Sequence, residues 1–493
     1  MSTSPLEPAD WEEFRALGKR MIDDMVDYLA DVRDRPVWQP VPEFVRTELN
    51  ADLPKKGAAM DAVYDEFRAL ILPYPRGNIH PRFWGWVNGS GVPIAAYADL
   101  LASVMNCTLG AGENAAMMVE QQVIEWLKQA FDWPRAGSGI LTSGCSMGQI
   151  IALATAREAK TRGWDIRRHG LSAAPPLTVY GSAETHHSFE KAVELLGMGR
   201  LSFRSIAVDE EFRLDVAALR AAVRTDRAAG RHPVCVVGNV GTVNTGAVDP
   251  LADLVTIARE EDLWLHVDGA FGAFAYLLPT HRSLLARLNA ADSLVVDLHK
   301  WFYLPFDVSC VLVRQDGLLE AAFSSSADYI SKTTGGPAAY PVAFSDRGIE
   351  QSRRFRALKV WFALKTHGAE SFTQAIAANI DQVAYLTNLV DECPRLEVVA
   401  RSQLNIVCFR YVWPNAEADE LNQVNQVNQQ ILARLQTAGL AMPSHTVIDG
   451  KFVIRVANNN HRTRPSDFDF LIDNVLSIGD TLRAAPGDVG CNG

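Results

Sequence analysis

No uninterrupted apolar run in this chain is long enough to cross a bilayer, which argues against a helical membrane protein. Positive charge is not in excess either. The formal net charge is −11, and this disfavours nucleic acid as a partner. Neither an H-E-x-x-H nor a C-x-x-C spacing is present, so the sequence offers no ready metal centre. The nucleotide P-loop and the dinucleotide G-x-G-x-x-G are missing as well. Cysteine is sparse and unpaired in pattern. Seven residues are scattered, several of them inside apolar runs (Cys235, Cys310, Cys408), which reads as buried thiols in a reducing cytosol. The opening Met1-Ser-Thr-Ser-Pro-Leu-Glu-Pro lacks the basic and apolar regions of a signal peptide, so a cytoplasmic location is expected.

What the chain does have is bulk and alternation. Its 493 residues, 48% hydrophobic, can bury a large core and imply more than one domain. Residues 1–84 read as a helical arm. Phe14, Leu17, Met21, Met25 and Tyr28 recur at helical spacing within Trp11–Val32, and a second helix is expected near Met60–Leu72. An arm with so little core of its own needs another surface to cover its stripe. In residues 85–371, strands expected at 177–180, 234–240, 263–267, 294–296 and 308–313 alternate with helical stretches. This predicts an α/β unit with a mainly parallel sheet, helices on both faces and its site at the strand carboxyl ends. Residues 372–493 read as a smaller α+β domain, in which the Asn-Gln-Val repeat of 422–430 is expected to be a solvated helix face.

Four segments carry chemistry. In Ser293-Leu-Val-Val-Asp-Leu-His-Lys300-Trp301 a buried strand ends at Lys300. Partial desolvation is expected to lower the amine pKa and free it for bonding to a carbonyl, with pyridoxal phosphate the commonest such partner; an ordinary lysine would snorkel to water. In Leu263-Trp-Leu-His-Val-Asp268-Gly-Ala270 a second strand ends in an acid suited to a protonated pyridine nitrogen, or alternatively to a helix N-cap. Gly269 and Ala270 are small enough for a flat ring to approach. Ser143-Gly144-Cys145-Ser146 opens a helix after a strand, which suits a phosphate or a plain capped turn. In Glu184-Thr-His186-His187-Ser188 an imidazole at a turn can stack on an aromatic ring. Zinc, shared with His266 and Asp268, is the weaker alternative.

Together these segments resemble the group II pyridoxal-phosphate-dependent amino-acid decarboxylases, the family of aromatic-L-amino-acid, glutamate and histidine decarboxylases. The similarity covers nearly the whole chain, through His80-Pro81-Arg-Phe-Trp84, Ser352-Arg-Arg-Phe355 and Asn460-His-Arg462-Thr463. It implies a fold-type I, transferase-like architecture, pyridoxal 5'-phosphate as cofactor, a homodimer and an amino-acid substrate, aromatic by preference. By the same resemblance Lys300 bonds to the cofactor aldehyde, Asp268 pairs with the ring nitrogen, and His186 and Ala270 pack its two faces. Gly144, Cys145 and Ser146 hold the phosphate with His299, and Thr242 lies near the cofactor. Trp84 and Trp86 help line the substrate pocket, where Thr108, Leu109 and Gly110 replace larger family side chains. The family's loop tyrosine, which reprotonates the product, falls on Phe344 by a gapless count, with Tyr340 four residues earlier. Relatives with phenylalanine there release an aldehyde, so amine and aldehyde products both remain open. So does cofactor binding without turnover.

Overall fold

The computed structural model describes residues 6–325, 342–413 and 420–484. The first strand, β1 (Phe83–Trp84), belongs to a small sheet; the next seven build the large one. These are β2 (Ser138–Thr142), β3 (Leu177–Ser182), β4 (Phe203–Ile206), β5 (His232–Asn239), β6 (Trp264–Asp268), β7 (Ser293–Asp297) and β8 (Ser309–Val313). Their order is β2-β8-β7-β6-β5-β3-β4. Only β8 runs antiparallel to its neighbours; β3 to β7 are mutually parallel where they pair. Every residue of β2, β3, β6, β7 and β8 is buried, as expected of strands covered by helices on both faces. Because the parallel strands share a direction, Asn239, Asp268 and Asp297 all arrive at one edge of the sheet.

The small sheet has the order β1-β11-β12-β10-β9, with β9 (Leu396–Arg401), β10 (Ile406–Tyr411), β11 (Met442–Ile448) and β12 (Lys451–Ala457). Strand β1 pairs parallel to β11, so residues 83–84 are structurally part of this C-terminal unit. Helix Ala357–Asp391, interrupted at Gly368 (φ 72°), joins the two sheets, and the boundary drawn at 371 falls just beyond that interruption. The Asn-Gln-Val repeat lies on helix Leu421–Thr437 and is not wholly solvated. Asn428 is buried because its amide replaces a strand neighbour for Tyr411: Oδ1 accepts from the Tyr411 N–H and Nδ2 donates to the Tyr411 carbonyl, each at 2.8 Å.

Three helices present apolar surface outward. Helix Trp11–Ala30, capped by the Asp10 carboxylate, buries only Leu17 and leaves Phe14, Met21, Ile22 and Val26 exposed. Helix Met60–Leu70 adds Met60 and Val63. The third, Pro93–Met105, exposes Tyr97, Leu100, Leu101, Val104 and Met105, a face that the sequence reading did not single out.

A buried ion pair ties the large unit together. The Arg353 guanidinium donates to both Glu120 oxygens and to the carbonyls of Leu109 and Leu141, while Glu120 also accepts the Leu141 N–H. Both side chains are almost fully buried. Removing one partner strands the other charge, so Glu120→Ala should cost about 3–5 kcal/mol. Denaturant titration would show this as a lower midpoint at unchanged slope, and a loss below about 1 kcal/mol would mean that the clamp contributes little.

Candidate active site

At the carboxyl edge of the large sheet, a cavity of about 430 Å³ is lined by residues at or just beyond the ends of β2, β3, β5, β6 and β7. Lys300 follows β7 by one short turn. Its Nζ lies 3.0 Å from Asp297 Oδ2, and Asp297 Oδ1 accepts the Cys145 N–H at 2.8 Å. One buried carboxylate thus joins the lysine to the first residue of helix Cys145–Thr161. Burial works to lower the Lys300 ammonium, but the negative charge and hydrogen bond of Asp297, helped by Asp268, outweigh it and raise the pKa above the usual lysine value. The expectation of a depressed amine is therefore reversed, because the strand delivers an acid three residues before the lysine. Burial likewise opposes the charge of Asp297, yet Lys300 and His299 hold its carboxyl below the usual range.

Asp268, at the end of β6, faces the same cavity. Oδ1 accepts the Ala270 N–H at 3.0 Å and Oδ2 accepts from Gln149 Nε2 at 2.8 Å. Burial pushes its pKa up to about 6 against the pull of Lys300 and these hydrogen bonds. Ala270 lines the cavity, but the missing side chain of Gly269 faces elsewhere: a Cβ there would meet Ala273 and Leu294 within 3 Å. Gly269 is small for packing, not for ring access. The glycine that does serve the lysine turn is Gly89, where a Cβ would strike the carbonyl oxygens of His299 and Lys300 at 2.3 and 2.4 Å.

Helix Cys145–Thr161 has Gly144 at its N-cap and no capping side chain, and Ser143 and Ser146 line the cavity beside it. His299 also lines it, with Nδ1 held at Val308 and Nε2 3.6 Å from Asp297. His186 lines the same cavity, half-buried, its pKa lowered to about 4, first by burial and then by the charges of Lys300 and His187. His187 is exposed and does not line the cavity. Thr242, hydrogen-bonded to Thr245 at 3.0 Å, lines the cavity too.

The cavity also takes residues the sequence reading passed over. Gln149 and Asn239 sit inside ordinary-looking elements, and the Phe306 ring packs at a tilt on His299, centroids 4.4 Å apart; Asp297, by contrast, is marked in the sequence as one of three ionisable groups at the strand end. Glu184 contributes a carboxyl raised by burial, whose Oε2 has no hydrogen bond among the described residues. Other expected residues do not reach the cavity. Trp84 is fully buried in the small unit, where its place on β1 stacks it on Phe468 and hydrogen-bonds Nε1 to Thr463. Trp86 stands 43% exposed under the Arg76 guanidinium. Phe344, 1% exposed, packs against Arg353 and Arg347. Tyr340 lies outside the described residues.

The donor set fits pyridoxal phosphate. A helix start with two hydroxyls beside it, where only the Cys145 N–H is taken by Asp297, suits a dianionic phosphate, a buried carboxyl with a strained charge suits a cationic ring nitrogen, and the lysine suits the aldehyde.

Comparison with known proteins agrees. Residues 42–412 match the pyridoxal-dependent decarboxylase conserved domain. The chain is 34% identical over 455 residues to an aromatic-L-amino-acid decarboxylase of Bacillus atrophaeus, covering 92% of each protein. It is 30% identical to a phenylacetaldehyde synthase of Arabidopsis thaliana, over 92% of this chain and 93% of that one. Among solved structures, that of Oryza sativa TDC with PLP and tryptamine superposes with a TM-score of 0.90 at 27% identity, covering 97% of this chain and 99% of the other.

The raised Asp268 carboxyl carries a sign that can be tested. Its folded pKa of about 6 exceeds the ordinary 3.8, so in cofactor-free protein its contribution to stability is full below the lower value. It is lost as pH rises through the higher one. At pH 8 the unpaired charge should cost up to about 3 kcal/mol, and Asp268→Asn should recover it, with no gain at pH 4. Denaturation of the cofactor-free variant at both pH values is the check. An equal effect at both would mean that the carboxylate is not strained.

Proposed function

The chain belongs to the pyridoxal-dependent decarboxylase family, and from that premise we propose that it removes the α-carboxylate of an aromatic L-amino acid as carbon dioxide. The observation carrying this reading is that Lys300 and a buried, charge-strained Asp268 face one cavity at adjacent strand ends. When bound, pyridoxal phosphate supplies an aldehyde for the substrate's amino group and a protonated ring that draws off the electron pair left by carbon dioxide.

The chain's own residues do the rest. Asp268 holds the proton on the ring nitrogen, a pairing that relieves the cost of its burial. The start of helix Cys145–Thr161, with Gly144, Cys145, Ser146 and His299, holds the phosphate. His186, neutral near pH 7, offers a flat uncharged face, and Ala270 leaves room on the other side. Lys300 must lose its proton before it can bond to a carbonyl, and Asp297, 3.0 Å from Nζ, holds the amine in place for that step. Aromatic selectivity rests on the relatives named above, which include decarboxylases and an aldehyde synthase.

Incubation with a panel of L-amino acids should release carbon dioxide from aromatic ones, whereas binding of the cofactor without any release would sink the reading. Lys300→Ala should abolish borohydride trapping of the cofactor and reduce activity by several orders of magnitude. Trapping that persists would assign the anchor to another lysine.

A second reading, decarboxylation with oxygen to give aldehyde, ammonia and peroxide, turns on the proton donor. Because the Phe344 ring is buried between arginines, Phe344→Tyr should leave the product ratio unchanged. Tyr340→Phe should raise the share of aldehyde and peroxide. A shift caused by Phe344→Tyr instead would place that side chain at the reacting carbon.

We also infer a cytoplasmic homodimer. The free thiols Cys145, Cys235, Cys310 and Cys408 are buried and suit a reducing compartment. The exposed apolar faces of helices Trp11–Ala30, Met60–Leu70 and Pro93–Met105 call for a symmetric cover. Sedimentation should give twice the chain mass, and deletion of residues 1–75 should yield insoluble or inactive protein. A stable, active monomer after deletion would overturn the dimer.

A further inference from the structure

An unbroken hydrogen-bonded line connects the two residues that would meet the cofactor ring at its nitrogen and on its face. Gln149 Nε2 donates to Asp268 Oδ2 at 2.8 Å, Gln149 Oε1 meets the Ser188 hydroxyl, and Ser188 Oγ lies 2.6 Å from His186 Nδ1. Gln149 and Ser188 are both buried, so these partners are not exchanged with bulk water.

The direction of each bond follows from its ends. A carboxylate can only accept, so Gln149 must turn its NH₂ to Asp268 and its oxygen to Ser188. That oxygen can only accept as well, which commits the single Ser188 hydroxyl hydrogen to it. Ser188 Oγ is then left to accept from His186, so the imidazole proton sits on Nδ1 and Nε2 keeps its lone pair. The structure aims the Ser188 backbone N–H at Nδ1 from 3.2 Å, and this state gives up that hydrogen bond for the one from Nδ1 to Ser188 Oγ.

Protonating Asp268 lets the whole line reverse. The carboxylic acid donates to the amide oxygen of a turned Gln149, whose NH₂ donates to Ser188. Ser188 then donates to Nδ1, joined by its own backbone N–H, and the imidazole proton moves to Nε2. Because Gln149 presents a donor at one end and an acceptor at the other, it cannot satisfy both neighbours in a mixed state without losing a buried hydrogen bond.

We propose that Gln149 is a positioning residue that ties the charge state of Asp268 to the tautomer of His186. An ionised Asp268 fixes His186 with its proton on Nδ1. Other charges face the two ends: Lys300 and Asp297 beside Asp268, and Lys300, His187, Asp297 and Lys191 around His186. They shift how readily each end ionises, whereas the amide and the hydroxyl set the direction of the line between them. The proposal rests on the cofactor reading in one respect: a protonated ring nitrogen is what keeps Asp268 ionised.

The test is ¹⁵N NMR of the pyridoxal-phosphate-loaded enzyme labelled at histidine, with the His186 signals identified by their loss in His186→Gln. Near neutral pH the wild type should show a protonated Nδ1 and an unprotonated Nε2. Gln149→Leu and, separately, Ser188→Ala should each give exchange-averaged signals, while Ser188→Thr, which keeps the hydroxyl, should restore the wild-type pattern. Gln149→Leu should also weaken cofactor binding by roughly tenfold, the usual loss for a hydrogen bond to a charged group. A proton on Nε2 in the wild-type holoenzyme would overturn the proposal without any variant. So would an Nδ1 proton that persists in both Gln149→Leu and Ser188→Ala. Visible absorbance of the same samples reports cofactor uptake, so a chain that binds no cofactor refutes the functional reading, and one that binds it with the wrong tautomer refutes only this inference.

Discussion

The Asp297 carboxylate is the contact on which the site depends. It is buried at the end of β7, and its two oxygens are divided between the Lys300 amine and the backbone N–H that opens helix Cys145–Thr161. A lone carboxylate there would be costly, and so would a lone ammonium. Paired, they pin the amine beside the helix end that suits a phosphate, and they fix the spacing between the two before any ligand arrives. The cost of this arrangement falls on the amine, which is held protonated and must pass its proton on before it can react. Asp268, one strand over, has the opposite problem: it has hydrogen bonds but no cation of its own at close range, and burial leaves its charge strained. A cationic ring nitrogen would remove that strain.

Much of this was legible in the sequence because strand ends announce themselves. Uncharged β-branched runs that stop at an ionisable residue gave the positions of Lys300 and Asp268, and parallel strands brought them to one edge. The glycine–serine turn before an alanine-rich helix was equally plain. Signals of this kind are local, and the reading from sequence reaches only the residues that they mark.

It fell short where a residue's role is set by distant chain. Asp297 looked like part of the lysine's environment, but its bond to Cys145, 152 positions away, is what ties the lysine to the start of the helix. Gln149 lies on a helix face with nothing in its neighbours to mark it. Trp84 follows an apparently pocket-lining motif, yet pairing of β1 with β11 carries its indole into the small unit's core. Asn428 was hidden in a polar repeat because periodicity cannot say which of several asparagines a strand will need.

The close approach of Gly89 to the Lys300 turn has a consequence for biogenesis. Gly89 follows closely on β1, and β1 is held by β11, more than 350 residues later in the chain. The strand pairing that anchors the chain just before Gly89 is therefore completed only when nearly the whole polypeptide has been made. Contacts of such long sequence separation form late and slowly. A partly made chain would carry its lysine, its acid and its helix start on a folding sheet, yet lack the backing that fixes the turn. A truncated product lacking β11 would leave β1, and the chain leading to Gly89, without its strand partner.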